Sequence, residues 1–267
     1  DGAADAAGAG QAASSEIDLA GDYFYNTRPE EVYARAGVGR IAGPHRVSAA
    51  VEGAVTRYRL DAYFARLPSE GQGAYVFTGL TKLRATESVI GERGALILAD
   101  RWTFRPGTEV ELGGRADGYA LSRSAPLSPR VAASQALGRH VKLRAAAGLY
   151  PQAPQATEVM PRWGNPGLAP SRAWHAVGGI EGSWGSWNAS VETYAKRFQA
   201  LVVPDPVTNY SNAGTGEARG VEVLLRRAFT ERVAGWAAYA HGSSRRRDGP
   251  GTPERFSDYD IPDMLSL

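Results

Sequence analysis

"NYSNAGTGEARGVEVLLRRAF", residues 209–229, joins a loose Gly-rich run to a segment in which Val221, Val223 and Leu225 alternate with Glu222, Leu224 and Arg226. Side chains of a strand point alternately to its two faces, so one face here is apolar and the other half-polar. After only Thr230 and Glu231, a second alternating run starts at Arg232. The stretch therefore reads as the end of a loop, a strand from Gly220, a tight turn at Thr230-Glu231 and a returning strand. A strand this polar on one side does not suit a two-sided protein core.

The same period extends outward in both directions. Residues 45–64, 87–104, 108–119, 128–137, 140–150, 186–198 and 232–242 all alternate, and shorter signals lie at 31–39 and at the final "DYDIPDMLSL". In 108–119, Val110, Leu112, Gly114 and Ala116 share one face, with Glu109, Glu111, Arg115 and Asp117 on the other. In 140–150, Val141, Leu143, Ala145, Ala147 and Leu149 oppose Lys142 and Arg144. This criterion gives about ten or eleven strands and almost no helix.

The connections fall into two classes. Residues 105–107, 137–139, 183–185 and 230–231 are tight turns, whereas 65–86, 151–172, 199–216 and 243–257 are long and rich in Pro, Gly and Ser. Short and long connections alternate, which in an up-and-down meander gathers all short turns at one end. Membrane barrels have this asymmetry. Trp102, Phe104, Trp184, Trp187 and Phe229 sit beside the short turns, as interfacial aromatic girdles do. A soluble β-sandwich is the alternative, but its strands run about five or six residues. Runs of about ten residues are the length of a tilted transmembrane strand, so the pattern favours an all-β, antiparallel, up-and-down transmembrane β-barrel.

Composition sets the outer limits. The chain has 267 residues and 43% hydrophobic content, which argues against global disorder. No window approaches 18 consecutive apolar residues, so no transmembrane helix is expected; barrel strands leave average hydropathy low and are not excluded. Without cysteine there are neither disulfides nor thiolate metal sites. A net charge of +2 gives no support to nucleic-acid binding. The chain begins at Asp1 without a signal peptide and reads as a mature product or an internal fragment. Residues 1–20 are an Ala/Gly-rich run expected to be a loop or flexible segment, with 21–267 forming the barrel.

Several segments, in order, resemble the TonB-dependent outer-membrane receptors. They are "LRAAAGLYPQAPQ" (143–155), "NPGLAPSRAWHAVGGIEGSW" (165–184), "WNASVETYAKRFQALVV" (187–203), the opening stretch with its Gly-Val-Glu, and "YDIPDMLSL", where Asp263 replaces a usual His. "GPHRVSAAVEG" (43–53), "LADRWTFRPGTEVELGGRAD" (98–117) and "LSPRVAAS" (127–134) fit more loosely. The resemblance covers roughly residues 40–267. It implies a plugged barrel of about 22 strands that imports scarce ligands with energy from an inner-membrane TonB–ExbB–ExbD complex. No plug domain or TonB box is found in the sequence. The expectation is a partial, monomeric barrel from a longer receptor, set in outer-membrane lipid. A passive porin-like or structural barrel and a soluble β-rich binding domain are the alternatives.

No catalytic constellation stands out, and no enzyme, cofactor or metal is expected. His45, His140, His175 and His241 lie on different strands without metal-ligand spacing, and no Gly-x-Ser-x-Gly elbow is present. Arg245, Arg246 and Arg247, with Arg255 further on, form the densest positive cluster, expected on a loop. It would suit an anionic ligand through bidentate hydrogen bonds, or else anionic lipid headgroups or plain solvation. Tyr150 and Trp163 offer stacking surfaces for a ligand, with loop packing as the alternative. The ligand itself (siderophore, cobalamin, carbohydrate or peptide) is not legible.

Overall fold

The period-two runs become rungs of one antiparallel sheet in the computed structural model, which describes residues 24–64, 83–162, 164–228 and 233–267. In chain order the strands are β1 (Phe24–Ala42), β2 (His45–Phe64), β3 (Leu83–Arg105), β4 (Thr108–Tyr119), β5 (Leu127–Leu137), β6 (Val141–Gln152), β7 (Ser171–Trp184), β8 (Trp187–Asp205), β9 (Asn209–Ala228) and β10 (Ala234–Arg247). Each pairs antiparallel with the next, as an up-and-down meander requires. The short strands β11 (Arg255–Phe256) and β12 (Asp263–Ser266) both pair with β10. One helical turn, α1 (Ala156–Val159), interrupts the connection between β6 and β7.

Tight turns collect at one end of the sheet. The chain reverses at 43–44, 106–107, 138–140 and 185–186, and Gly107 (φ 79°) and Gly138 (φ 76°) supply the left-handed residue that such turns demand. The expected turn at Thr230-Glu231, the girdle position Phe229, the Ala/Gly-rich residues 1–20 and most of the long connection 65–86 lie outside the described residues.

Three expectations are corrected at the opposite end. Residues 199–216 are not a loop: β8 runs to Asp205, the chain turns at 206–208, and β9 starts at Asn209 rather than Gly220. Likewise β10 runs through Arg247 into the expected loop 243–257, and β1 is twice the expected 31–39. All three extensions carry Gly, Pro or polar residues without alternation. Their ladders are held by backbone hydrogen bonds, and where neither face meets an apolar medium no alternation is needed.

The rungs are staggered. Ala42, the last residue of β1, is level through successive partners with Trp102, Ala145 and Val221, yet Val221 lies well inside β9. A steady stagger of this kind tilts strands relative to the sheet axis and is the geometry of barrel walls.

No second sheet covers this one among the described residues. Among the described residues Ala54, Leu60, Val159, Met160, Leu168 and Val203, with Pro170, are the buried apolar side chains, while Val38, Leu112 and Ile180 are 71%, 60% and 44% exposed. A sandwich would bury one face of every strand. The fold is therefore the wall of an antiparallel up-and-down β-barrel, with an apolar face and a polar one.

Candidate functional site

Residues opposite each other across an antiparallel pair share a face, so the register traces the polar face from strand to strand. Glu52 takes Arg35 Nη1 at 3.2 Å and Arg115 Nη1 at 2.7 Å, and Arg115 Nε reaches Asp117 at 2.8 Å. Glu31 is held by Arg93 at 3.0 Å and by the Thr56 hydroxyl, which donates at 2.7 Å. Arg101–Glu111 (2.7 Å) and Arg144–Glu181 (2.9 Å) continue the pattern across β3–β4 and β6–β7. Exposed pairs contribute only about 0–1 kcal/mol each. Glu52 and Asp117 are far more enclosed, so the Arg115 trio is the costliest to break.

Toward the end with the long connections the polar face changes character. The Arg130 guanidinium lies 4.7 Å over the Tyr150 ring, Tyr150 stacks on His175 with centroids 4.5 Å apart, and Phe198 meets His175 edge-on at 6.4 Å. The register explains the gathering: Arg130, Gly148 and His175 are level, and Lys196 stands opposite His175. Gly148 is the enabling residue. A Cβ there would stand 3.1 Å from both Arg130 Cγ and Tyr150 Cε2. The Lys196 ammonium lies 4.9 Å over Tyr194. Arg246, level with Gly216 and Phe198, is tied through Asp248 to Arg255 at 2.9 and 3.1 Å. Flat rings and fixed cations together can stack on a planar group and hydrogen-bond an anion.

The connection 153–170 is docked over β8 and β9 beside this cluster. Its own Val159, Met160 and Leu168 are buried. Asn212 accepts from the Ala169 N–H at 2.8 Å and donates to the carbonyls of Ala169 (2.9 Å) and Ala200 (2.8 Å). Ala200 sits at a bulge with φ 54°, which turns its carbonyl out of the ladder to accept from Asn212 and from the Ser171 hydroxyl. In α1, Glu158 accepts from the Gln155 N–H at 2.6 Å, and burial raises its pKa above the usual carboxylate value.

The residues expected from sequence divide between faces. Tyr150 and Arg246 lie on the polar face in or beside the cluster. Arg245 and Arg247 belong to the same strand, not a loop, and alternation puts them on the apolar face, with Arg245 4.9 Å over the Phe256 ring. Trp163 is outside the described residues. Arg130, His175, Lys196 and Phe198 were missed; their face was legible by alternation, their shared level was not. Among the described residues no three His, Cys, Asp or Glu side chains gather as a metal site.

The apolar face has its own markers. Trp174 and Trp184 lie on it in β7, flanking Ala176, Gly178, Ile180 and Gly182. At about 3.3 Å per residue their separation is roughly 33 Å along the strand, or roughly 23 Å at a tilt of about 45°. Outward bands of barrels, bounded by aromatic girdles, are about 25 Å tall.

With this geometry in hand, comparison with known proteins is direct. The family model described as "TonB dependent receptor-like, beta-barrel" matches residues 5–264. No curated protein matches the chain by sequence. Among solved structures, the siderophore receptor PirA from Pseudomonas aeruginosa aligns with a TM-score of 0.62 and 17% identity over 84% of this chain and 45% of its own. The ferric enterobactin receptor PfeA from the same organism gives 0.66 and 15% over 91% and 46%. The FrpB iron transporter from Neisseria meningitidis gives 0.64 and 11% over 85% and 38%. At such identities the likeness shows the fold, and the chain spans less than half the length of these structures.

Proposed function

We propose that this chain, which belongs to the TonB-dependent receptor β-barrel family, supplies one side of an outer-membrane barrel that takes up a small anionic ligand carrying planar groups. The observation that carries the reading is the cluster of Arg130, Tyr150, His175, Lys196 and Phe198 on the polar face, at the end of the long connections. On this reading the polar face lines the lumen, the band between Trp174 and Trp184 meets lipid, and the long connections face outward. Tyr150 and Arg246 stay as candidate ligand contacts, joined by the four residues found through the register. The names of the structural neighbours support an iron chelate of the siderophore class, whose carboxylate or catecholate groups such a cluster would suit.

Energy would come from the inner membrane through TonB–ExbB–ExbD, acting on a plug in the full-length protein. Uptake by cells expressing the full-length protein, with ferric catecholate and hydroxamate chelates, cobalamin and oligosaccharides offered in turn, tests both parts. A chelate taken up only while the proton gradient is intact supports the reading. Uptake that survives a protonophore points to the passive barrel instead. Loss of binding in Arg130→Ala and Phe198→Ala, with folding retained, is expected.

A further inference from the structure

The apolar face carries a group of cations that its polar counterpart does not explain. Arg172, Arg197, Arg219, Arg245 and Arg247 are all exposed, and the register puts all five on the face that bears Trp174. Arg197 is level with Trp174, and Arg172 is the next residue on that face beyond it. Arg245 shares the level of Arg197 through Glu217, Arg247 is the next residue on that face beyond Arg245, and Arg219, level with Ala176, is one rung inside, so the group straddles the border of the apolar band on the side of the long connections. None of the five forms an ion pair among the described residues, whereas Arg35, Arg93, Arg101, Arg115 and Arg144 on the polar face each hold a carboxylate. Glu217 lies between Arg197 and Arg245 in the ladder, and Glu254 is a second carboxylate beside the group.

Two depressions lie one above the other here. A cleft of about 660 Å³ has Trp174, Arg197, Glu217, Arg245, Arg247 and Glu254 in its lining. A second, of about 580 Å³, continues down the same face between Leu143, Ala145, Gly178, Ile180 and Val191. Cations above and an apolar groove below match one kind of molecule, with an anionic head and acyl chains. Guanidinium groups hydrogen-bond phosphate bidentately and lose less on partial desolvation than ammonium groups.

We propose that this arginine cleft binds the phosphorylated headgroup of an outer-leaflet glycolipid whose acyl chain occupies the groove beneath. Arg197, Arg245 and Arg247 hold the phosphate, Trp174 lies at the junction of head and chain, and Glu217 weakens the site by opposing the anion. The inference rests on the membrane placement proposed above.

The test titrates the full-length protein, purified in a non-ionic detergent, with an acylated glucosamine disaccharide bearing two phosphates. Binding is read by native mass spectrometry, and folding by the heat-dependent gel mobility of barrels. Arg197→Ala/Arg245→Ala/Arg247→Ala is expected to lower affinity at least tenfold, and Glu217→Gln to raise it severalfold. The polar-face Arg101→Ala variant should leave it unchanged, and removing both phosphates from the lipid should reproduce the triple-variant loss. The proposal is overturned if the folded triple variant binds the lipid as wild type does, if the dephosphorylated lipid binds equally, or if inorganic phosphate alone binds as tightly. It also falls if the arginines prove to bury a second copy of the chain, seen as a dimer that the triple variant dissolves. A protein that does not insert into bilayers at all would overturn the membrane placement, a distinguishable failure.

Discussion

Gly148 is the residue on which the ligand cluster turns. Its missing side chain lets Arg130 and Tyr150 close over the strand, since a Cβ would meet Arg130 Cγ, Tyr150 Cε2 and the Pro129 carbonyl at 3.1 Å each. Gly148→Ala is therefore expected to spread the cluster and cost about 1–3 kcal/mol, read by urea unfolding in lipid vesicles, with ligand affinity falling alongside. Arg115 plays the structural counterpart. Arg115→Met leaves Glu52 and Asp117, both largely enclosed, without their shared cation. Glu52 keeps Arg35, so the loss falls mainly on the enclosed Asp117. A group left so costs about 1–3 kcal/mol, and the same unfolding assay should show a drop of that size, while Arg144→Met, more exposed, should barely register.

The element that matters most beyond the strands is the connection 153–170. It is fastened to β9 by Asn212, and the bulge at Ala200 provides a second acceptor. Asn212→Ala should release it, increasing hydrogen exchange across 153–170 at least tenfold while the strand ladders stay protected. The connection should also respond to pH. Burial raises the Glu158 pKa in the folded connection, so the contribution of this residue is fully present below the unfolded carboxylate value. It is lost as pH rises through the raised folded value. Docking should tighten on acidification through that window, and Glu158→Gln should abolish the dependence. Exchange rates corrected for intrinsic pH effects would reveal a flat profile in the wild type if this is wrong.

At the scale of the whole molecule, the decisive feature is an apolar face that no layer of the described residues covers. In a bilayer, Ile180→Arg in mid-band should destabilise by about 2–4 kcal/mol. Val177→Arg, three positions earlier on the polar face, should cost under about 1 kcal/mol in the same vesicles. Equal costs would mean that the two faces do not meet different media. The staggered register and the tight-turn end agree with this division, since tilted strands and short turns on one side are what a barrel wall needs.

Alternation along the chain was enough to identify most strands, their faces and the tight-turn end, because side-chain direction in a strand is a local property with period two, while the family rested on the resemblance of ordered motifs such as Gly220-Val221-Glu222. Alternation placed Val110 and Leu112 on one face and Glu111 and Arg115 on the other. It failed at 199–216 and 243–247, where Gly, Pro and arginine runs hid strands whose ladders rest on backbone hydrogen bonds. It also gave no level between strands. That Arg130, Tyr150, His175 and Phe198 meet, and that five arginines gather around the level of Trp174, both depend on register. Register is set by pairing between segments far apart in sequence, and only the tertiary structure contains it.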